Sequence, residues 1–432
     1  MPKFKIVTLG CKVNLSESDV ISSRFEANGW LPVQSDEPSD LCIVNTCAVT
    51  LRASQQSRQA VRGAIRSNPD ALVLVTGCDA QVEPEAFREI PGVHEIISQK
   101  EKLDIPGRFP VQHLAESGDG RHRLDTLHYC SFASAIKRTR PFLKIQDGCD
   151  AFCTYCIVPY ARGPSRSMPS EQVLLNIRQL KDAGFREVVL SGIHLGSYGL
   201  DLRSENTRLV DLLKRIDADG VIDRVRLSSI EPLELSEDII RLVAASSCIC
   251  HHFHIPLQSG DDGILKRMNR PYSISHFKEL VLKIHKWIPD AAIGVDVMIG
   301  FPGETDTAFE NTYKLIEQLP ISYLHVFPFS SRKGTAASRF PEHVESRIKK
   351  IRCQHMRSLG IRKKKVFYER FIGARLPVLI EETEDPQSGS LRGKTSNYLT
   401  IKVKGPDELK NQIVSVRLVE MNGIDSVRGE IF

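Results

Sequence analysis

Three cysteines crowd one short segment, Cys149, Cys153 and Cys156, in a CxxxCxxC spacing. The segment begins where the apolar run 142–146, which reads as a buried strand, comes to an end. A loop of this length can wrap three thiolates around one face of an iron–sulfur cubane. Electron-transfer ferredoxins give each cluster four thiolates, so a local set of three leaves one iron without a protein ligand. An open iron is where a cofactor or substrate can coordinate, which makes this a place for chemistry rather than electron storage. Structural zinc is the competing reading. Zinc takes four ligands, usually as paired CxxC groups, and the chain holds no second CxxC. Chance is a poor account of three cysteines within eight residues at a strand end.

A second set is dispersed. Cys11, Cys47 and Cys78 lie far apart, yet each directly follows an expected strand, at 5–10, 41–46 and 72–77. In a parallel sheet those ends lie along one edge, where α/β domains bind ligands. Three thiolates therefore meet without a local motif, and a second cluster with an open iron is the natural reading. The bland alternative is three small buried hydrophobes. The matching positions speak against it.

The elements that position these residues alternate strand and helix. Amphipathic stretches at 16–28 and 54–67 separate the first strands, giving a small parallel α/β domain over 1–112. A polar linker is expected at 113–138, with Gly-Asp-Gly inside it. Over 139–368, strands at 142–146, 187–191, 224–228, 252–257, 293–299 and 323–327 alternate with helices at 171–183, 237–245, 276–287 and 308–318. Six such units make an incomplete (β/α)6 barrel, with the chemistry at the C-terminal strand ends. A basic helix covers 344–370. Residues 369–432 change to short strands at 376–380, 398–403 and 413–419, a small all-β module of the kind that handles RNA. The fold class is α/β with an all-β C-terminal domain.

Composition adds limits. The 432 residues are 41% hydrophobic and 26% charged, with eleven cysteines and a net charge of +5. No apolar run is long enough to span a bilayer, and the N-terminus does not read as a signal peptide. A cytoplasmic location is expected, where cysteines favour metal or redox roles over disulfides. The charge permits a nucleic-acid partner without requiring one; basic clusters at 137–140 and 362–365 read equally as solvated surface.

The CxxxCxxC loop after the first barrel strand, with Tyr155 before its last cysteine, resembles the radical S-adenosylmethionine superfamily. The combination of LGCKVN, NTCAVT and TGCDAQ with QDGCDAFCTYCIVPYARGPSRS narrows the likeness to the methylthiotransferases. So do LSGIHLGSYG, RLSSIEP, HIPLQSGDDGILKRMNRPYS, IGFPGET and, in the tail, LRGKTSNYLTIKV. The resemblance spans the chain and is nearest to the type acting on threonylcarbamoyladenosine in tRNA. It departs at Phe329 and Lys333, where Tyr and an acidic residue or Pro are frequent. It implies two 4Fe-4S clusters, one on Cys11, Cys47 and Cys78 and one on Cys149, Cys153 and Cys156. The second would chelate S-adenosylmethionine and cleave it to a deoxyadenosyl radical, and a low-potential electron donor is implied. The tail resembles the TRAM domain, an RNA-binding barrel. The implied reaction replaces the C2 hydrogen of the adenosine beside the anticodon with a methylthio group. No obligate protein partner and no membrane enter this picture.

Weaker expectations attach to single residues. Tyr155, Ser191, Gly192, Ser229, Glu231 and the segment from Gly300 to Glu304 stand at the loop or at strand ends, where cofactor can approach. Each also reads as a loop glycine or a capping group. Arg162 and Arg166 could meet phosphate or a carboxylate, or form an ion pair. Lys394 and Tyr398 are the RNA-facing candidates of the tail. The run from Cys248 to His254 tempts a zinc reading, but strand alternation sends its side chains to opposite faces. Cys42, Cys130 and Cys353 read as plain thiols. Rival readings are an RNA-binding protein with structural metal, an electron carrier, and a methylthiotransferase acting on isopentenyladenosine in tRNA or on a ribosomal-protein aspartate.

Overall fold

The computed structural model describes residues 1–34, 37–110, 138–203, 205, 207–386 and 388–432. Cys130 and the expected linker, apart from Arg138, lie outside them.

The N-terminal unit runs β1 (Lys3–Thr8), α1 (Lys12–Ala27), β2 (Leu31–Pro32), β3 (Leu41–Thr46), α2 (Leu51–Ser67), β4 (Leu72–Gly77), α3 (Cys78–Val82), α4 (Glu85–Arg88) and β5 (Glu95–Ile96). Its sheet order is β2-β1-β3-β4-β5 with every pairing parallel. All six residues of β3 are buried, which is why LCIVNT shows no alternation. Strand β1 ends earlier than the sequence suggests. Asn14 donates to the carbonyls of Leu9 (2.7 Å) and Thr46 (2.9 Å), drawing the chain out of the ladder and into α1.

The central unit contains β6 (Phe142–Lys144), β7 (Gln146–Asp147), α5 (Val158–Arg162), β8 (Arg166–Ser167), α6 (Ser170–Asp182), β9 (Glu187–Ser191), α7 (Leu209–Asp219) and β10 (Arg224–Leu227). It continues through α8 (Glu237–Ala245), β11 (His252–Gln258), α9 (Asp262–Arg267), α10 (Ile274–Trp287), β12 (Ala292–Ile299), α11 (Asp306–Gln318), β13 (Tyr323–Pro328) and α12 (Ser346–Glu369). Two parallel three-stranded sheets, β10-β9-β6 and β11-β12-β13, meet through bridges Val225–Ile249 and Ser229–His254. The result is the expected six-stranded arc. Alternation decides the faces: Phe253, Ile255, Leu257, Val295, Val297 and Ile299 join the core beneath the helices. Their neighbours His252, His254, Pro256, Asp296 and Met298 therefore face the lumen.

The tail forms β14 (Arg375–Glu384), β15 (Leu391–Thr395), β16 (Thr400–Val403), β17 (Ile413–Asn422) and β18 (Ser426–Ile431), closed in the order β14-β15-β16-β18-β17. Strands β15 and β18 escape pattern reading because each carries an interior glycine. Their glycines are what the tight barrel needs: a Cβ at Gly393 would strike Val378, and one at Gly429 would strike Val416. Helix α12 ties the units together, with Cys353, Met356 and Leu359 in the central core and Phe367 and Tyr368 in the tail's. At the seam, Arg224 donates to the carbonyls of Lys394 (3.0 Å) and Pro377 (2.8 Å), and Arg226 to that of Ser396 (2.8 Å). The tail barrel thus plugs the N-terminal end of the arc.

Candidate active site

The CxxxCxxC loop sits at the C-terminal strand ends, held from below and beside. Gln146 spans its base, donating to the carbonyls of Asp147 (3.0 Å) and Gly148 (2.9 Å) and accepting from the His194 backbone (2.8 Å). His194, after β9, places Nδ1 3.5 Å from Cys149 Sγ and Nε2 2.7 Å from Glu234. Burial favours the neutral ring, but the bonds to Cys149 and Glu234 outweigh it and lift His194 to about 10. Arg270, after α9, donates to Cys153 Sγ at 3.5 Å and is clamped by Glu231 from the end of β10. Burial pushes the Cys156 thiol up to about 12, with Cys153 and Cys149 adding to the rise.

The dispersed cysteines meet as the sheet edge requires. Cys11 is the N-cap residue of α1, Cys47 follows β3 and Cys78 opens α3. Two glycines permit the approach. A Cβ on Gly10 would come within 2.7 Å of Cys47 Sγ, and Gly77, at φ +98°, lies against the backbone of Thr46. Burial pushes the Cys47 thiol up to about 11, with Cys78 and Cys11 contributing. Cys78 Sγ accepts from Arg162 Nε (3.3 Å) and Gln99 Nε2 (3.4 Å).

Helix α5 joins the two sets. It begins just after Cys156, packs Ile157 and Ala161 on Cys78 and Ala48, and ends in Arg162. Of the readings the sequence left for Arg162, a phosphate or carboxylate contact or an ion pair, the structure shows the ion pair, buried away from any RNA. Its side chain is 1% exposed and bonds Glu17 (2.9 Å), Asp147 (2.8 Å) and Asn14 (2.5 Å) as well as Cys78. Lys102 (2.5 Å) and Lys144 (2.7 Å) complete the cage around Glu17. Burial works to raise Glu17, but Arg162, Lys102 and Lys144 hold its carboxyl well below the usual range. Arg332, after β13, adds a second tie through Asp79 at 3.3 Å.

Other expectations fare differently. Ser191 spends its hydroxyl on the Leu143 carbonyl (3.2 Å), and Gly192 abuts Gln146. Ser229 bridges to His254 through its backbone. The Gly300-to-Glu304 segment is filled from α12: Lys349 lies over Gly300, and Arg352 takes the Glu304 carboxylate at 2.6 Å. Tyr155 stands in the cysteine loop, edge-on to Phe301 at 6.5 Å. Arg166 is 48% exposed, 3.7 Å from Asp147. Tyr398 stacks on His252 at 4.4 Å, and Lys394 lies 4.3 Å over Tyr398, so both belong to the seam beneath the lumen. Burial and Arg140 pull the Lys394 amine down to about 7. Cys42, Cys248, Cys250 and Cys353 are buried free thiols.

Sequence reading missed a polar column in the lumen. His252 Nε2 lies 2.7 Å from the Tyr323 hydroxyl, which lies 3.1 Å from His254 Nδ1. His254 Nε2 is 2.8 Å and His325 Nδ1 3.2 Å from Asp296 Oδ1. Burial pushes Asp296 up, but His254 and His325 outweigh it and hold it below the usual carboxylate range. With Asp296 ionised, the His254 Nε2 that faces it donates, and Nδ1 meets the Tyr323 hydroxyl. The i,i+2 spacing of His252 and His254 is the only sequence signal for this column.

Sulfur-only donors in threes, met by N–H groups of Arg270, Arg162 and Gln99, suit iron–sulfur clusters, whose thiolates accept such bonds. Hard cations would want oxygen.

Comparison with known proteins shows the family. Residues 143–316 match the family described as the radical SAM superfamily, and residues 3–98 match Uncharacterized protein family UPF0004. The threonylcarbamoyladenosine tRNA methylthiotransferase MtaB of Bacillus subtilis (strain 168) is 37% identical, covering 96% of this chain and 93% of that one. A tRNA-2-methylthio-N(6)-dimethylallyladenosine synthase of Pelotomaculum thermopropionicum is 32% identical, covering 98% of each. Among solved structures, the radical S-adenosylmethionine methyltransferase TsrM of Kitasatospora setae superposes with a TM-score of 0.53 at 14% identity, over 76% of this chain and 73% of that one. That likeness is one of fold.

Proposed function

The chain belongs to the radical S-adenosylmethionine tRNA methylthiotransferases, and from that premise we propose how its residues divide the work. It is a threonylcarbamoyladenosine tRNA methylthiotransferase acting with S-adenosylmethionine and an iron–sulfur cluster. An aromatic C–H bond is not acidic enough for exchange by acid–base chemistry, and the cofactors supply the homolytic step that replaces it.

The proposed ligands are Cys149, Cys153 and Cys156 for the cluster that takes S-adenosylmethionine, and Cys11, Cys47 and Cys78 for a second cluster that delivers sulfur. The observation that carries this division is the meeting of both triads over α5, with Arg162 touching the second set while its own helix starts at the first. His194 and Arg270 direct N–H groups at Cys149 and Cys153, orienting the loop; Glu231 fixes Arg270 in turn. The apolar packing of Ile157, Ala161 and Ala48 covers Cys78 from the side of α5.

The unit 1–112 would carry the second cluster, 139–368 the radical chemistry, and 369–432, as a TRAM domain, would hold the tRNA. A low-potential carrier would supply electrons. A cytoplasmic location is consistent with the substrate; among the described residues, no helix is long and apolar enough to cross a membrane.

Mass analysis of tRNA nucleosides from a strain lacking the gene tests the reading. Methylthio-threonylcarbamoyladenosine is expected to vanish and its unthiolated precursor to accumulate. Persistence of the methylthio nucleoside would contradict the assignment.

A further inference from the structure

A cavity of ≈ 410 Å³ opens beneath the lumen, between β13, α12 and the tail barrel. Its wall includes Arg357, Lys364, Lys394 and His325, together with Tyr323 and Tyr398; no carboxylate is among its described lining residues. Carboxylates act on these cations from outside the lining, Asp296 on His325, Glu381 on Lys394 and Asp425 on Lys364. The wall itself offers positive charge and suits an anion. His325 belongs to the cavity and to the lumen at once. Asp296 fixes its Nδ1 from behind, and its side chain is 53% exposed, so Nε2 is the free edge it presents.

The height of this cavity bears on what the anion is. Asp296 pairs with Pro256 on β11 and with His325 on β13, so His325 stands level with Pro256. His254 lies two strand residues lower and reaches Asp296 through its side chain. The Pro256 carbonyl accepts from Arg270, the residue that touches Cys153. C2 and C6 of an adenine flank N1, so with C2 facing the cysteine loops the N6 substituent turns aside from them, toward the lumen wall where His325 stands. In threonylcarbamoyladenosine that substituent ends in a carboxylate; in a prenylated adenosine it ends in methyl groups.

We propose that the cavity walled by His325, Arg357, Lys364 and Lys394 is the subsite for the threonyl carboxylate, and so the part of the chain that selects this nucleoside. The inference rests on the threonylcarbamoyladenosine reading above. Lys394 then serves the modified base rather than the RNA backbone. The burial that depresses its amine is relieved when an anion arrives, which adds to affinity. A backbone phosphate shares the same chemistry, so the test must separate the two.

The test is equilibrium binding of cluster-loaded protein to three anticodon stem-loops that differ only at the modified adenosine: threonylcarbamoyl, its methyl ester, and plain adenosine. The wild-type chain is expected to prefer the free carboxylate over the ester by roughly tenfold, the size of one charge-assisted hydrogen bond. R357Q/K364Q, on the solvent side of α12, and H325Q, in the lumen wall, are expected to cut that preference to within about twofold. Retention of the full preference by both variants would overturn the subsite. So would equal weakening toward all three stem-loops, which marks a phosphate contact, or a stoichiometric metal held by His254, Asp296 and His325. If the wild-type chain neither prefers nor methylthiolates the threonylcarbamoyl stem-loop, the substrate reading falls with the subsite. Methylthiolation by the wild type with preference intact in the variants removes the subsite alone.

Discussion

Substituting Cys153→Ala is expected to abolish reductive cleavage of S-adenosylmethionine, a loss of at least about a thousandfold read as 5′-deoxyadenosine formed under dithionite. Cys153 is the one thiol of its set aligned with a guanidinium, Arg270, itself locked to Glu231 and to the Pro256 carbonyl. Removing it takes away one of three proposed ligands and leaves that guanidinium facing an empty position. Cys250→Ala is the control. That thiol is buried in the core wall away from the loop, and its removal should leave cleavage within about twofold. Equal cleavage by the Cys153→Ala chain would show that the loop does not hold the reactive cluster.

The second large effect is on stability. Glu17→Gln is expected to cost about 3–5 kcal/mol, read as a fall in the urea midpoint. The buried cage between the N-terminal unit and the arc sets Glu17 and Asp147 against Lys102, Lys144 and Arg162. Two carboxylates already face three cations. Losing Glu17 leaves one carboxylate for three, all in a site where Lys102, Lys144 and Arg162 are at most 3% exposed. Arg162→Gln, by contrast, leaves two against two and should cost less, although it removes the N–H bond to Cys78. If the arginine variant were the less stable of the pair, hydrogen bonding and not charge balance would govern the cage.

That cage was not legible in the sequence, and the reason is physical. Glu17, Lys102, Lys144, Asp147 and Arg162 come from separate elements, and nothing local distinguishes them from surface charges. The placement of the cysteines was legible because it is tied to strand ends, which apolar runs reveal. Strands β3, β4, β9 and β12 could be read to within a residue because they are mostly buried and dense in apolar, largely β-branched residues. Strands β15 and β18 could not, since the glycines that let the small barrel close also break its pattern. The strand-end positions Ser191, Gly300 and Glu304 were chosen for where they fall along the chain. Their neighbours Leu143, Lys349 and Arg352 come from elsewhere in the fold and occupy them.

Iron and acid-labile sulfide per chain, assayed chemically after anaerobic reconstitution with Mössbauer spectroscopy identifying the cluster type, test the two-site arrangement most directly. The wild-type chain should hold about eight irons as two cubanes, and C11A/C47A/C78A and C149A/C153A/C156A about four each. A wild-type chain with about four irons, or a triple variant that keeps both cubanes, would contradict it.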